Sequence, residues 1–524
     1  MTFPATAKPK RLGTVASLGR AMRSWRTLAV ALLSFSSGLP LGLVWYSIPD
    51  WMRSIGVDLR VVGLFSLAQV PWTFKVIWSP LMDRYVPPFW GRRRGWMAIT
   101  QVALAALGLL LAGVGNRPDA IWVVGALALA IALASATQDI AIDAYAVDVL
   151  HEDEQGAAVG ARTAVYRAAM VLSGGGAITM AARLGWPTVN ILLAFVYAPM
   201  LVLTWKAPEP EDQPIAPRTL RDAVWQPFLG FLSRHRALEI LAFVLLYKLA
   251  DNLTTSMTRP FLIDMGYSAY HRGVALATVG LGATLGGAFV GGWATTLIGL
   301  GHSLWIFGFL QMFATVGYYF IARAGGPNLP LMYGATSFEL FCAGLGTGAF
   351  SVLLLRMTQK RFSATQYALF SSLFALPRLL AGPITGFVVD AIGWPAFFLS
   401  TIAMGVPGLV MLARFVPLGV REPVFAVEEV AARRPLGRRA LVERGLVGAA
   451  ASGLFALVAA ALLAAIKTMR DLSQPFDLTA GLRGVLLPTQ IADWVQLAGI
   501  VAIAAIGGLF VAAVAAARTG AGAR

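Results

Sequence analysis

The sequence holds one cysteine, four histidines and few charges, with Asp, Glu, Lys and Arg making up 13% of its 524 residues. Cys342, in an apolar run between Phe341 and Ala343, reads as a small buried core residue, and a single thiol excludes both a disulfide framework and a thiolate metal site. His151, His235, His271 and His302 are scattered without ligand spacing, so no metal centre is expected. Long polar stretches are also missing, which excludes an inserted soluble domain. What is abundant is apolar: 57% of residues are hydrophobic, and the mean hydropathy is +0.70. A water-soluble chain could not cover that composition with polar surface, so the solvent is lipid.

The net charge of +16 would suit nucleic acid if its cations formed one stripe. They fall in alternate loops instead, which excludes a nucleic-acid footprint and reads as membrane topology. Lys8, Lys10, Arg11, Arg20, Arg23 and Arg26 precede the first long apolar run as they would in a signal peptide. That run is too long for one and continues into SSGLPLGLVWYSIP without a small-residue cleavage site, so it is read as a retained span.

Apolar runs of spanning length occur near 28 to 47, 61 to 80, 96 to 115, 120 to 142, 160 to 182 and 188 to 205. A second set falls near 238 to 263, 273 to 296, 303 to 322, 331 to 355, 365 to 389 and 394 to 413, and two more near 445 to 466 and 494 to 516. The expected fold class is therefore an all-α membrane protein with fourteen spans. With the N-terminus inside, inner segments collect 27 Lys and Arg and outer segments nine, which predicts both termini in the cytoplasm. Lys75, Arg162, Arg167, Lys248, Arg259 and Arg378 remain in or near the spans and need a reason to be there.

The halves repeat. Gly56 and Gly63 match Gly266 and Gly273 at a shift of 210, Gln155 and Arg167 match Gln366 and Arg378 at 211, and the turn Gly185-Trp186-Pro187 recurs as Gly393-Trp394-Pro395. Two six-helix halves of this size point to an alternating-access carrier. The expected order is a basic tail (1–27), a first half (28–206), a linker (207–237), a second half (238–414), a basic linker (415–444) containing AARRPLGRRALVER, two added spans (445–517) and a short tail (518–524).

The segment SATQDIAIDAYAVDVL puts Asp139 and Asp143 four apart, on one face of a helix and within one turn, beside Gln138 and Tyr145. An intramembrane carboxylate is disfavoured by about 2.5 to 3.5 kcal/mol on insertion scales, so it marks a polar cavity, an ion path or a basic partner. Burial and a nearby like charge both favour the neutral acid, the property a proton carrier needs. An ion pair with Arg162 or Arg167 is the structural alternative. In LLYKLADN, Lys248 and Asp251 are three apart and can neutralise each other. Glu339, in TSFELFCAGLGTGAF, has no sequence neighbour of opposite charge, which favours titration or substrate contact. Arg167 and Arg378 put one guanidinium in each half, able to clamp a carboxylate of a substrate or one within the protein. The glycines of SGGGA and GLGTG are read as close helix packing.

Between the second and third runs stands SPLMDRYVPPFWGRRRGW, with Asp83, Arg84 and Arg92 in a tight charged loop. It resembles the loop signature of major facilitator proteins, which implies a lock on the inward gate through acidic residues at neighbouring helix ends, here Asp148. Topogenic charge alone is the alternative. The second-half equivalent, GGWATTLIGLGH, carries no such charges.

Together GLFSLAQVPWTFKVIWSPLMDRYVPPFWGRRRGW, SATQDIAIDAYAVDVL, YRAAMVLSGG, LYKLAD, FELFCAGLGTGAF and KRFSATQYALFSSL make the chain resemble the muropeptide permease (AmpG) family of the major facilitator superfamily, from SSGLPLGL to the end of the twelfth run. The resemblance implies import of anhydro-muropeptides across the bacterial inner membrane by proton symport, a place in peptidoglycan recycling and β-lactamase induction, no enzymatic activity and no cofactor beyond the proton gradient. The implied partners are the muropeptide, protons and the bilayer, with the chain acting as a monomer. Asp139 and Asp143 fall on that family's acidic pair, Lys248 and Asp251 on its seventh-span pair, and Glu339 on its tenth-span acid. Arg259-Pro260 departs from the small hydroxyl residues expected there. Carriers of another bulky anion, such as a CoA thioester, siderophore or drug, stay open. Gln138, Asp139 and Asp143 are also similar in spacing to the Asp-rich helix of membrane prenyltransferases, but Asp251 and Asp390 are isolated and no second cluster exists.

Overall fold

The computed structural model describes residues 19, 23–57, 68, 70–115, 117–210, 216–217, 219–232, 237–324, 326–423, 437–472, 477–489 and 491–519. Most of the basic N-terminal tail, Gly63, residues 424–436 of the second basic linker and the last five residues lie outside these. Two compact units form, one from Met1–Ala223 with Glu239–Phe425, the other from Val224–Leu238 with Ala426–Arg524.

The first unit contains the helices used below: α1 (Trp25–Ser54), α2 (Ser79–Arg84), α3 (Arg92–Val114), α4 (Ile121–Val149), α5 (Gln155–Val171), α6 (Trp186–Lys206), α7 (Leu249–Asp264), α8 (Gly280–Ile298), α9 (Leu300–Arg323), α10 (Leu329–Met357) and α11 (Ser363–Phe415). Gly393, at φ 74°, turns α11 into two helical legs. Among the described residues ten helices are long and apolar enough to cross a membrane. The expected runs near 61 to 80, 160 to 182, 238 to 263 and 365 to 389 are not in that set. They are the runs that carry Lys75, Arg162 and Arg167, Lys248 and Asp251, and Arg378. The first of them is also broken into Val70–Phe74, Lys75–Ile77 and Ser79–Arg84, and the third is interrupted at Lys248. Residues 61–67 and 69 of the first run lie outside the described residues; in the described parts of the four runs, charge and broken helix lower the apolar continuity.

The backbone repeats where the sequence does. Gly56 (φ 91°) and Gly266 (φ 79°) both end helices, and Gly185 (φ 77°) and Gly393 (φ 74°) both begin them. These left-handed angles carry a Cβ penalty for any other residue, which is why glycine stands at both members of each pair. Helices α4 and α10 are each 29 residues long, at an offset of 208. The stacked Trp51–Trp186 pair, centroids 5.7 Å apart, recurs as Phe261 against Trp394 at 5.1 Å. Between the halves, α5 meets α8 glycine to glycine: a Cβ on Gly292 would lie 2.5 Å from the carbonyl oxygen of Gly156. Only missing side chains allow that approach.

The second unit contains α12 (Arg438–Leu472), α13 (Leu478–Leu486) and α14 (Ile491–Thr519). Small residues set its packing, since a Cβ on Gly448 would touch Val511 and one on Gly507 would touch Ser452. Asp477 caps α13 by accepting from the backbone N–H groups of Thr479 and Ala480.

Candidate functional site

Helix α4 crosses the first half with its acidic residues on successive turns, and each meets different partners. Asp143 is buried and doubly paired: Lys75 Nζ lies 3.1 Å from Oδ2 and an Arg162 guanidinium nitrogen 2.5 Å from Oδ1. Lys75 sits where the second run breaks into 3₁₀ geometry, and Arg162 is on α5. Asp139, one turn earlier, accepts from Ser37 Oγ on α1. Among the described residues it has no cation at ion-pair distance. Gln138 donates to Ser36 Oγ at 2.5 Å and so ties α4 to α1. Tyr145 points away from this cluster and donates to the Pro208 carbonyl at 2.7 Å, beyond the end of α6.

With both carboxylates ionised, Lys75, Arg162, Asp139 and Asp143 balance to zero charge. Two cations bind Asp143, whereas the one hydrogen bond to Asp139 among the described residues comes from a hydroxyl.

The second half carries its own charged cluster. Lys248 is fully buried where the helix breaks before α7. Its Nζ lies 3.2 Å from Asp251 Oδ2 and 3.2 Å from the Ala343 carbonyl, and it also donates to Gln311 Oε1 on α9. Glu339, buried on α10, accepts from the Tyr318 hydroxyl at 3.4 Å. No cation pairs with it among the described residues. Arg167 is partly buried and likewise has no carboxylate partner there; its nearest recorded contact is Met170 Sδ at 3.9 Å. The Arg378 side chain lies outside the described residues. Arg259 is exposed near the end of α7.

At the α2–α3 loop the two halves are bonded directly. Asp83, with no exposed surface, accepts at Oδ1 from Arg93 (2.8 Å) and Arg92 (3.1 Å). Its Oδ2 accepts from the Thr365 backbone N–H (2.8 Å) and hydroxyl (2.7 Å). A carboxylate from the first half thus caps the first turn of α11 in the second, satisfying an orphan N–H and meeting the positive end of the helix dipole. Arg93 closes the network through Asp148 Oδ2 (2.8 Å) and Ser363 Oγ (2.6 Å). Asp83, Arg92 and Asp148 therefore meet in one network through Arg93. Arg84 does not join: its guanidinium lies over the Tyr85 ring, 5.5 Å from the centroid.

Sequence reasoning placed Arg93 in the charged loop without choosing it for the gate, and missed Ser363 and Thr365, although KRFSATQYALF contains both and hydroxyl residues at a helix start are a capping signal. It offered Arg162, beside Arg167, as an ion-pair partner for the acidic pair, and flagged Lys75 only as a cation lacking an explanation. It gave no hint of Tyr318 or Gln311.

Two pseudo-repeated halves, charged clusters within apolar helices and a polar clasp between the halves define a polytopic membrane carrier. Residues 30–381 match the family model of the Major Facilitator Superfamily. The chain is similar to the anhydromuropeptide permease of Escherichia coli (strain K12), 43% identical over 393 residues, covering 74% of this chain and 79% of that one. It is also similar to a Rickettsia conorii transporter named AmpG 4, 30% identical over 400 residues, covering 74% and 96%. In fold it resembles a proton:xylose symporter (TM-score 0.59, 11% identity, 77% and 98% covered) and a bacterial ferroportin homologue in an outward-facing state (TM-score 0.57, 12% identity, 74% and 98% covered). The chain belongs to the muropeptide permease (AmpG) family of the major facilitator superfamily, and is a transporter of the bacterial inner membrane.

Proposed function

We propose that this protein imports anhydro-muropeptides from periplasm to cytoplasm by proton symport, using alternating access of its two halves to feed peptidoglycan recycling. The observation that carries this reading is the pairing of 43% identity to the E. coli permease with a carboxylate in each half that has no cation partner among the described residues, the partly buried Asp139 and the buried Glu339. In this account Asp139 carries the proton, Asp143 with Lys75 and Arg162 forms the fixed charge beside it, and Lys248 with Asp251 and Glu339 faces the substrate path from the second half. Arg167, which lacks a carboxylate partner among the described residues, holds an acidic group of the peptide stem, with Arg378 as its counterpart. Gln138 and Tyr145 position α4.

The chain crosses the membrane fourteen times with both termini in the cytoplasm, acts as a monomer and needs only the proton gradient. The α2–α3 network of Asp83, Arg92, Arg93 and Asp148 is the inner gate. A network bonding both halves at that end corresponds to a state closed to the cytoplasm. The test is uptake of labelled GlcNAc-anhydroMurNAc peptide into proteoliposomes under an imposed pH gradient, with CoA thioesters and siderophores as competitors. Accumulation that collapses with the gradient supports the reading; accumulation of a competitor in place of the muropeptide supports a carrier for another bulky anion.

A further inference from the structure

The inner gate of the first half has charges on its loop, and the matching loop of the second half has none. Gly299 (φ 89°) opens α9 as Gly91 (φ 75°) opens α3, so the backbone is duplicated while the charges are not. In their place the segment after α11 folds back over the start of α9. Trp305 Nε1 donates to the Val416 carbonyl at 2.8 Å, the Gly301 N–H to the Arg421 carbonyl at 2.9 Å, and an Arg421 guanidinium nitrogen to the Leu297 carbonyl at 2.8 Å. A Cβ on Gly301 would lie 1.9 Å from the Val420 carbonyl oxygen, so the close fit needs that glycine. Three bonds thus fix the strap beneath α8 and α9.

The strap brings Glu422 to Arg356, and the two side chains form an ion pair. Arg356 is the next-to-last residue of α10, as Asp148 is of α4, at the same offset of 208 that relates the two helices. Arg356 Nε also reaches Gln155 Oε1 at 3.4 Å, and buried Gln155 is the first residue of α5 in the other half. The two arrangements correspond with signs reversed. In one, acidic Asp148 holds Arg93, which bonds the start of α11; in the other, basic Arg356 is held by Glu422 and bonds the start of α5.

We propose that Glu422, Arg356 and Gln155 form a second inner latch, in which the strap after α11 supplies the acidic group that the α8–α9 loop lacks. Glu422 and Arg356 are positioning residues: they touch no substrate but hold the closed end of the carrier. This inference rests on the carrier reading above and on that end being cytoplasmic. The Arg356 side chain is 12% exposed and Glu422 31%, against 2% for Arg93 and 0% for Asp83. Solvent screening therefore makes this latch the weaker of the two.

The test uses the full-length protein with Cys342→Ser and a reporter, Ala157→Cys. Ala157 is fully buried on α5 and packs against Trp293 and Leu297 of α8, so it is covered only while the halves are closed at this end. Maleimide labelling from the cytoplasmic side is measured without substrate. Glu422→Arg and Arg356→Glu should each speed labelling about threefold or more, as expected for loss of a partly screened pair. The combined Arg356→Glu/Glu422→Arg protein should return towards the starting rate. Single variants that label at the starting rate overturn the proposal. So does a reversed pair that labels as fast as the single variants while remaining monodisperse, since that outcome shows generic disruption in place of pairing. If the single variants fail to fold, recovery of monodisperse protein by the reversed pair supports the pairing, and its failure overturns it. Because no muropeptide is present, failure of the substrate assignment would leave these rates unchanged and appear only in uptake.

Discussion

Replacing each acidic residue of α4 by asparagine separates a structural carboxylate from a proton-carrying one. Asp143→Asn leaves Lys75 and Arg162, whose side chains are 8% and 16% exposed, without the group that lies 3.1 Å and 2.5 Å from them. Removing one partner from a buried charge network costs about 3–5 kcal/mol because the remaining charges stay desolvated. Among the described residues Asp139 is bonded to Ser37, 102 positions away, and has no ion pair. An asparagine amide oxygen still accepts from that hydroxyl, so the expected cost is about 1 kcal/mol. Thermal unfolding of purified protein in detergent should therefore show Asp143→Asn clearly destabilised and Asp139→Asn near wild type. In proteoliposomes Asp139→Asn should lose accumulation driven by a pH gradient while keeping part of the substrate exchange, which needs no net proton movement. The reasoning fails if Asp139→Asn accumulates substrate at the wild-type level, or if Asp143→Asn is as stable as wild type.

Other outcomes follow from the same contacts. Asp83→Ala removes the cap on α11 and two arginine partners, so cytoplasmic labelling of a cysteine reporter should rise, while Arg84→Ala should leave labelling unchanged; labelling that stays at the wild-type rate in Asp83→Ala would make the loop merely topogenic. Lys248→Met should destabilise by about 3 kcal/mol by leaving Asp251 unpaired, and adding Asp251→Asn should recover much of the loss in a double-mutant unfolding series. A chain ended near Glu428 keeps Glu422 and the first unit, so it should bind muropeptide with wild-type affinity when monodisperse. No measurable binding by such a protein would move part of the site into α12–α14.

The acidic face of α4 was readable because helical periodicity alone brings Asp139 and Asp143 together. Of their partners Arg162 was offered beside Arg167, and tertiary packing chooses between the two; Lys75 was not foreseen, because it is 68 residues upstream of Asp143. The same limit explains the gate. Three consecutive arginines look alike in sequence, and the direction of each along α3 decides that Arg93 enters the network while Arg94 turns to the Trp205 and Ala207 carbonyls. Repeated glycines at matching left-handed positions made the duplication legible. The uncharged α8–α9 loop pointed to no lock in the second half, since Glu422, 66 residues from Arg356, is not part of that loop. Span counting was clearest for uniformly apolar runs and weakest where buried charges interrupt them, which are the runs that build the candidate site.

The central claim is tested most directly by uptake of labelled GlcNAc-anhydroMurNAc peptide into proteoliposomes holding the full-length protein. The account predicts accumulation against a concentration gradient when the side corresponding to the periplasm is acidic, its collapse on adding a protonophore, and its loss in Asp139→Asn. Accumulation that is unchanged after the pH gradient is collapsed, or no uptake of the muropeptide by protein shown to be folded and inserted, would contradict it.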